Sequence, residues 1–198
     1  MASDIKAIIT NLIGFCDFNG KTVINVGAGG GQMAEYSRGC RKVYAIDNDK
    51  SAVQKLKEHI AKIGLEDKFT IIADDFYNLK IKGDIALFEF CLHEMADPVK
   101  ALKSAKELAM DVVVIDHLPE PEWSYYTVET EKITSSWQAI RRFPIKKEAR
   151  YMATQLFKDY NELYEKLKIL GDECLRRIEK FKDKKDFSIP MPYAIAQI

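Results

Sequence analysis

A chain of 198 residues, 47% of them hydrophobic, is long enough to bury one good core, so a single domain is the expectation. Thirty lysines and arginines cancel thirty aspartates and glutamates, which removes the electrostatic surplus that draws a protein to nucleic acid or an anionic membrane. Cys16, Cys40, Cys91 and Cys174 are scattered with no C-x-x-C pair, a pattern that argues against a zinc or redox site and for reduced thiols in a cytoplasmic protein.

The apolar stretch 7–16 contains Thr10 and Asn11, follows Asp4 and lacks a basic leader, so it is too short to span a bilayer and a poor signal peptide. Ile5, Ile8, Ile9, Leu12 and Ile13 recur there at helical spacing and predict a covering helix. A strand over 22–26 runs into a glycine-rich turn and a helix near 32–38. A second strand, 42–46, ends at Asp47. The next helix, 51–63, places Val53, Leu56, Ile60 and Ile63 on one face and ends at Gly64. Strands follow at 69–73 and 84–90, the latter nearly continuous apolar sequence as in a strand buried on both faces. Asp97-Pro98 opens a helix to about residue 110, and 112–115 is the fifth strand. This alternation is the signature of a mostly parallel α/β sheet covered on both faces.

Beyond His117 the periods weaken. Residues 123–142 read as one helix, with Tyr126, Thr130, Ile133, Trp137 and Ile140 along one side and Pro144 beyond its end. Residues 146–158 show no clean period and are expected to be mixed structure over the site, followed by a helix over 159–170 that Gly171 ends. Two last strands are expected at 174–181 and 193–198, with a helix over 173–182 as the competing reading. The expectation is one domain over 1–198, with 1–18 and about 118–170 as helical cover.

The run Val23-Ile24-Asn25-Val26-Gly27-Ala28-Gly29-Gly30-Gly31-Gln32 joins an apolar strand to a loop in which a ligand can lie directly on the main chain. A dinucleotide fold wants G-x-G-x-x-G, and Gln32 stands where its last glycine belongs. The spacing Gly27-x-Gly29-x-Gly31 instead resembles motif I of the class I S-adenosylmethionine-dependent methyltransferases. Neighbouring strand ends agree. Asp47 can accept bonds from two ribose hydroxyls beside Asn48, and in Ala73-Asp74-Asp75-Phe76 an acid can accept from the adenine amino group while Phe76 packs on the base. Asp75 is favoured over Asp74 by the family spacing.

The stretch from Asp84 through Glu89-Phe90-Cys91-Leu92-His93-Glu94 to Asp97-Pro98 and Leu102 resembles the strand, turn and helix of many small-molecule methyltransferases. The resemblance covers about residues 20–116. It implies a Rossmann-like, mostly parallel seven-stranded sheet with an antiparallel last strand, and S-adenosylmethionine as cofactor with S-adenosylhomocysteine as product. Glu89, Phe90 and His93 then face the cofactor's methionine part and the acceptor. One departure is Asn25, where the family usually carries an acid that helps hold the cofactor's ammonium group; Glu89 is the nominated substitute.

Methyl transfer needs an in-line nucleophile, a base where that nucleophile must lose a proton, and exclusion of water. His93 and His117 are the candidate bases. Glu94 and Glu120 can assist a cationic acceptor, and Trp123, Tyr125, Tyr126 and Trp137 can wall its pocket. Cys91 lacks the preceding proline of the cytosine-C5 enzymes, and no Asn/Asp-Pro-Pro-aromatic signature follows the fourth strand. A small-molecule acceptor is therefore expected, with no nucleic-acid or membrane signal, no metal-ligand cluster at sequence spacing, and homodimer formation left open. Two other readings stay open: a cofactor-binding protein without catalysis, which Asn25 permits, and a nicotinamide-dependent oxidoreductase, which Gln32 disfavours.

Overall fold

In the computed structural model, which describes residues 4–120 and 122–198, α1 (Ile5–Phe15) precedes a regular alternation. Its members are β1 (Thr22–Val26), β2 (Lys42–Ile46), α2 (Lys50–Lys62), β3 (Phe69–Ile72), β4 (Gly83–Glu89), α3 (Pro98–Leu108) and β5 (Ala109–His117). After it come α4 (Trp123–Tyr126), α5 (Thr130–Ile140), β6 (Lys147–Asp159), α6 (Tyr160–Leu167), α7 (Asp172–Ile178) and β7 (Lys185–Gln197). The strands form one seven-stranded sheet in the order β3-β2-β1-β4-β5-β7-β6. β1 to β5 pair in parallel, and β7 lies antiparallel between β5 and β6, so the expected Rossmann-like sheet with an antiparallel last strand is present.

Local chemistry sets the helix starts. Asp49 accepts from the Ser51 amide at 2.8 Å and Asp97 from the Lys100 amide at 2.9 Å, each satisfying an amide that the first turn leaves free. Alternate residues of the central strands then feed two cores. Val23, Leu87 and Ile115 face α1, α2, α6 and α7, while Ile24, Phe88 and Val114 face α3 and α5.

Four expectations are corrected. The segment 32–38 is not an α-helix but leads into a short 3-10 turn, Ala34–Gly39. The single helix over 123–142 is two, broken at Val128, whose φ of +61° no α-helix accommodates. The segment 146–158, and with it part of the helical cover expected over 118–170, is the thirteen-residue edge strand β6. Its inward Ala153, Gln155 and Phe157 do alternate with outward residues, but the outward Met152 and Leu156 are apolar too, which hides the period of two. Residues 174–181 are not a strand: Cys174, Ile178 and Phe181 are the buried stripe of α7 and the turn after it, so the competing helical reading holds. Of the expected cover at 1–18, residues 1–3 lie outside the described ones.

β7 extends much further than residues 193–198. Its partner register runs from Lys147↔Gln197 to Asp159↔Lys185, whereas its register with β5 stops at His117↔Tyr193. Pro190 and Pro192 fall in the stretch that outruns β5, where the missing amide hydrogens cost no pairing with β5.

Leu102 on α3 is wholly buried against the sheet. Leu102→Ala is expected to remove about 2–5 kcal/mol of stability, read as a lower denaturant midpoint with an unchanged slope in a urea titration.

Candidate cofactor and acceptor site

The carboxyl ends of β1, β2, β4 and β5 converge on one edge of the sheet, the place where open α/β folds bind ligands. The loop leaving β1 is held to shape by contact. Gly27 has φ +65°, and a Cβ there would lie 2.7 Å from both Cβ and Sγ of Cys91. Gly31 has φ +73°, and a Cβ would lie 2.5 Å from Leu56 Cδ1. Neither position admits a side chain. Asp47, at the end of β2, braces the same loop: Oδ2 accepts from the Gly29 amide at 2.8 Å and Oδ1 from the Asp49 amide at 2.9 Å.

Two cavities meet at Gly27 and Cys91. The first, of about 300 Å³, is lined by Asp47, Asn48, Asp74, Asp75, Phe76, Glu94 and Met95 among others. Phe76 is buried and sits edge-on to Phe88 at 5.9 Å, so its ring is fixed by the core beneath. Asp75 spends one oxygen on the Tyr77 amide at 3.0 Å. The second cavity, of about 410 Å³, is mostly apolar and reaches from Gly27 and Gly29 past Glu89, Phe90 and His117 to Trp123, Gln155 and Lys166. Of the predicted cofactor residues, Gly27 lines both cavities, Asp47, Asn48, Asp75 and Phe76 the first, and Gly29, Glu89 and Phe90 the second. Gly31 instead packs against α2, and Asn25 lies inside β1 with 3% of its surface exposed.

Asn25 and Glu89 form a buried pair. The Asn25 amide donates to the Tyr36 hydroxyl at 3.2 Å and its side chain also bonds Glu89. Burial pushes the Glu89 carboxyl up to about 8, against the opposing effect of Asn25, so this acid is mainly protonated at neutral pH. Asn25 Oδ1 and Glu89 Oε1 are buried without a hydrogen-bond partner among the described residues. Two oxygens left unpaired beside a cavity, one an amide acceptor and one on a carboxyl that becomes an acceptor on ionising, fit a missing donor. The acid nominated to stand in for a β1 carboxylate, Glu89, lies on β4 at the cavity wall. Phe90, next in sequence, adopts φ +50°, a strained backbone held by its amide bond to the Ile115 carbonyl at 2.8 Å.

The two histidines differ sharply. His117 lines the second cavity, packs on Phe90 with ring centroids 4.7 Å apart, and buries an Nδ1 that has no partner among the described residues. Burial pushes its imidazole down to about 4, so the ring is neutral. His93 lines neither cavity wall described above and lies behind His117, with ring centroids 5.6 Å apart. Its Nδ1 is 2.6 Å from Oδ1 of the wholly buried Asp116, whose Oδ2 also accepts from the His93 amide at 3.1 Å. Burial alone lowers the His93 imidazole, but the Asp116 bond outweighs it and the net shift is upward.

Of the other candidates, Trp123 walls the second cavity, Tyr126 and Trp137 are buried in the core and Tyr125 is exposed. Glu120 pairs with Arg150 at 3.1 Å and Glu94 with Lys132 at 3.0 Å. Sequence reasoning missed Asp116, Gln155 and Lys166. Asp116 is adjacent to a nominated histidine and was within reach; the other two arrive on β6 and α6, whose placement no local pattern announced. No helix of the described residues is long and apolar enough to cross a membrane.

Comparisons with known proteins agree with this geometry. Residues 24–110 match a family model described as a methyltransferase domain. A ribosomal protein L11 methyltransferase from Streptococcus equi subsp. zooepidemicus is 28% identical over 132 residues, which are 61% of this chain and 42% of that protein. The chain spans less than half the length of the curated relatives it matches. Among solved structures, a candidate methyltransferase from Bacillus halodurans superposes with a TM-score of 0.67 at 16% identity, covering 98% of this chain and 97% of that one. A SAM-dependent methyltransferase from Aquifex aeolicus gives 0.59 at 19% identity, with 98% and 97% covered. The sheet order, the glycine loop and the matched segment agree: residues 24–110 are similar to a methyltransferase domain, and the chain shares the fold of these structures.

Proposed function

We propose that the chain transfers the methyl group of S-adenosylmethionine to a small-molecule acceptor. The observation that carries the reading is the pair of cavities joined at Gly27 and Cys91, one edged by carboxylates and the other apolar with orphaned polar atoms at its inner end. In this reading Asp47, beside Asn48, accepts from the ribose hydroxyls, Asp75 accepts from the adenine amino group and Phe76 packs on the base. The backbone of Gly27 and Gly29 forms the floor, and Gly31 packs the loop against α2. Glu89, oriented by Asn25, accepts from the ammonium group, and Phe90 supports the methionine part.

The cofactor supplies an already electrophilic methyl group, so the protein's work is to orient, to exclude water and to take a proton. Neutral His117, on the wall of the apolar cavity, is the group placed to accept a proton from the acceptor. His93 serves as a positioning residue: through Asp116 it fixes the turn after β4, and Asp116 Oδ1 also accepts from the His117 amide at 2.9 Å. A concave, largely apolar second cavity of about 410 Å³ supports a small acceptor. The similarity to ribosomal protein L11 methyltransferases favours a protein acceptor as the second reading.

Calorimetry with S-adenosylhomocysteine and with NAD tests the cofactor, and labelled-methyl transfer over cell-extract fractions separated by size tests the acceptor. The thioether is expected to bind and NAD not to, with Asp47→Ala weakening binding about ten- to hundred-fold through loss of charge-assisted hydrogen bonds. Label is expected in the small-molecule fraction. Label in protein would establish the second reading, and tight binding without transfer would make the chain a sensor.

Glu89 gives a pH signature. Its carboxyl is mainly protonated below about pH 8 in the free chain, and an ammonium ligand favours the ionised form, so binding at pH 7 should release a proton. Cofactor affinity should fall by up to about tenfold per unit as pH drops below that point. Calorimetry in buffers of different ionisation enthalpy reads the proton directly, and Glu89→Gln is expected to abolish both the release and the pH dependence. A flat profile in the unaltered chain would remove Glu89 from the ammonium site.

A further inference from the structure

We propose that His93, Glu94 and Glu129 form a binding site for a divalent first-row transition metal ion of the Zn²⁺ class. One ligand atom from each lies within 4.8 Å of the other two. His93 Nε2 and Glu94 Oε1 are 3.4 Å apart, and two N/O ligands on a tetrahedral zinc ion are separated by about 3.4 Å, given bond lengths of about 2.0–2.2 Å. The three come from separate places: His93 and Glu94 from the turn that follows β4, Glu129 from the residue before α5, just beyond the left-handed backbone at Val128.

The histidine carries the inference beyond a pair of acids. His93 is 6% exposed and is clamped from behind, its amide and its Nδ1 both bonded to Asp116. With Nδ1–H donated to a carboxylate, Nε2 holds its lone pair toward the two glutamates, and among the described residues it makes no hydrogen bond. A carboxylate behind the ring and a free nitrogen in front is the support that metal-ligating histidines use to fix tautomer and direction. Nε2 therefore meets Glu94 lone pair against lone pair unless a proton or a cation lies between.

Charge balance asks for the cation. Asp116, Glu94 and Glu129 are three carboxylates, and among the described residues the one ammonium paired to them is Lys132, 3.0 Å from Glu94 Oε2. With a neutral imidazole the group is short of two positive charges, the charge of the proposed ion. Three protein ligands with Glu94 half exposed leave a coordination position for water or an exogenous donor. Because Glu94 also lines the first cavity and His93 backs His117, occupancy would stiffen the turn that carries Cys91 to the seam between the cavities.

The test uses the full chain stripped with a chelator, then titrated with Co²⁺ as a spectroscopic probe and with Zn²⁺ in equilibrium dialysis. One ion per chain is expected, with the intense visible absorption of low-coordinate Co²⁺ and its loss on adding Zn²⁺. Glu129→Gln, at a half-buried position, should weaken binding at least about tenfold while the fold, read by near-ultraviolet circular dichroism, is kept. Lys132→Met should tighten binding by freeing Glu94, whereas a purely structural ion-pair network would only lose stability. Failure of the unaltered chain to take up one Zn²⁺ at micromolar concentration overturns the proposal. So does uptake that Glu129→Gln and His93→Gln leave unchanged. The S-adenosylhomocysteine affinity of the same samples reports on the cofactor reading separately.

Discussion

Asp116 is a carboxylate with no exposed surface at the end of β5, and it accepts from three donors: the His93 amide, the His93 ring and the His117 amide. A buried charge is tolerable only when its lone pairs are taken. Here the bonds that satisfy it also fasten the turn after β4 to the neighbouring strand. That turn sets Cys91 against Gly27, and the contact divides the crevice at the carboxyl edge into two cavities. The left-handed backbone at Phe90 is the strained link between strand and turn, and it persists because its amide is tied to β5 as well.

In the proposed reading, the pairing of Asn25 with Glu89 would keep a function while moving the residue that carries it. β1 and β4 are adjacent, with Asn25 opposite Leu87, so an acid two residues further along β4 reaches the same corner of the crevice. The exchange changes the chemistry. A carboxyl held near 8 by burial is mainly neutral at pH 7, so the fold carries little naked charge there, and in the proposed reading its ionisation would accompany the arrival of a cation. The sign is opposite to that of a surface-paired acid: with the folded value raised above the unfolded one, this group costs stability as pH rises through that interval.

Apart from the turn at 32–38, the first 117 residues were legible because their strands are short apolar runs closed by turn residues, and α2 and α3 start at capping aspartates, Asp49 and Asp97. The candidate positions at the ends of β1, β2 and β4 were placed at the crevice by the same regularity. The second half resisted for identifiable reasons. Met152 and Leu156 blur the alternation of β6, Val128 breaks a helix without a glycine or proline, and Pro190 and Pro192 disguise a strand as a connector. Gln155 and Lys166 were therefore invisible as pocket residues, and Glu129 could not be seen beside His93, since their proximity depends on how α5 docks rather than on any local spacing.

Those two prolines also say something about empty space. In the stretch of β7 that outruns β5, the Pro192 carbonyl turns toward β5 and accepts from the Leu118 amide at 3.0 Å. Strand alternation turns Pro190 to the same side. At these two positions the rim offers acceptors and no amide hydrogens, so an added extended segment would lose two ladder bonds there. Met191, between the prolines, is left facing the apolar cavity. The backbone bordering that hollow thus lacks, at Pro190 and Pro192, the donors that an added strand would use.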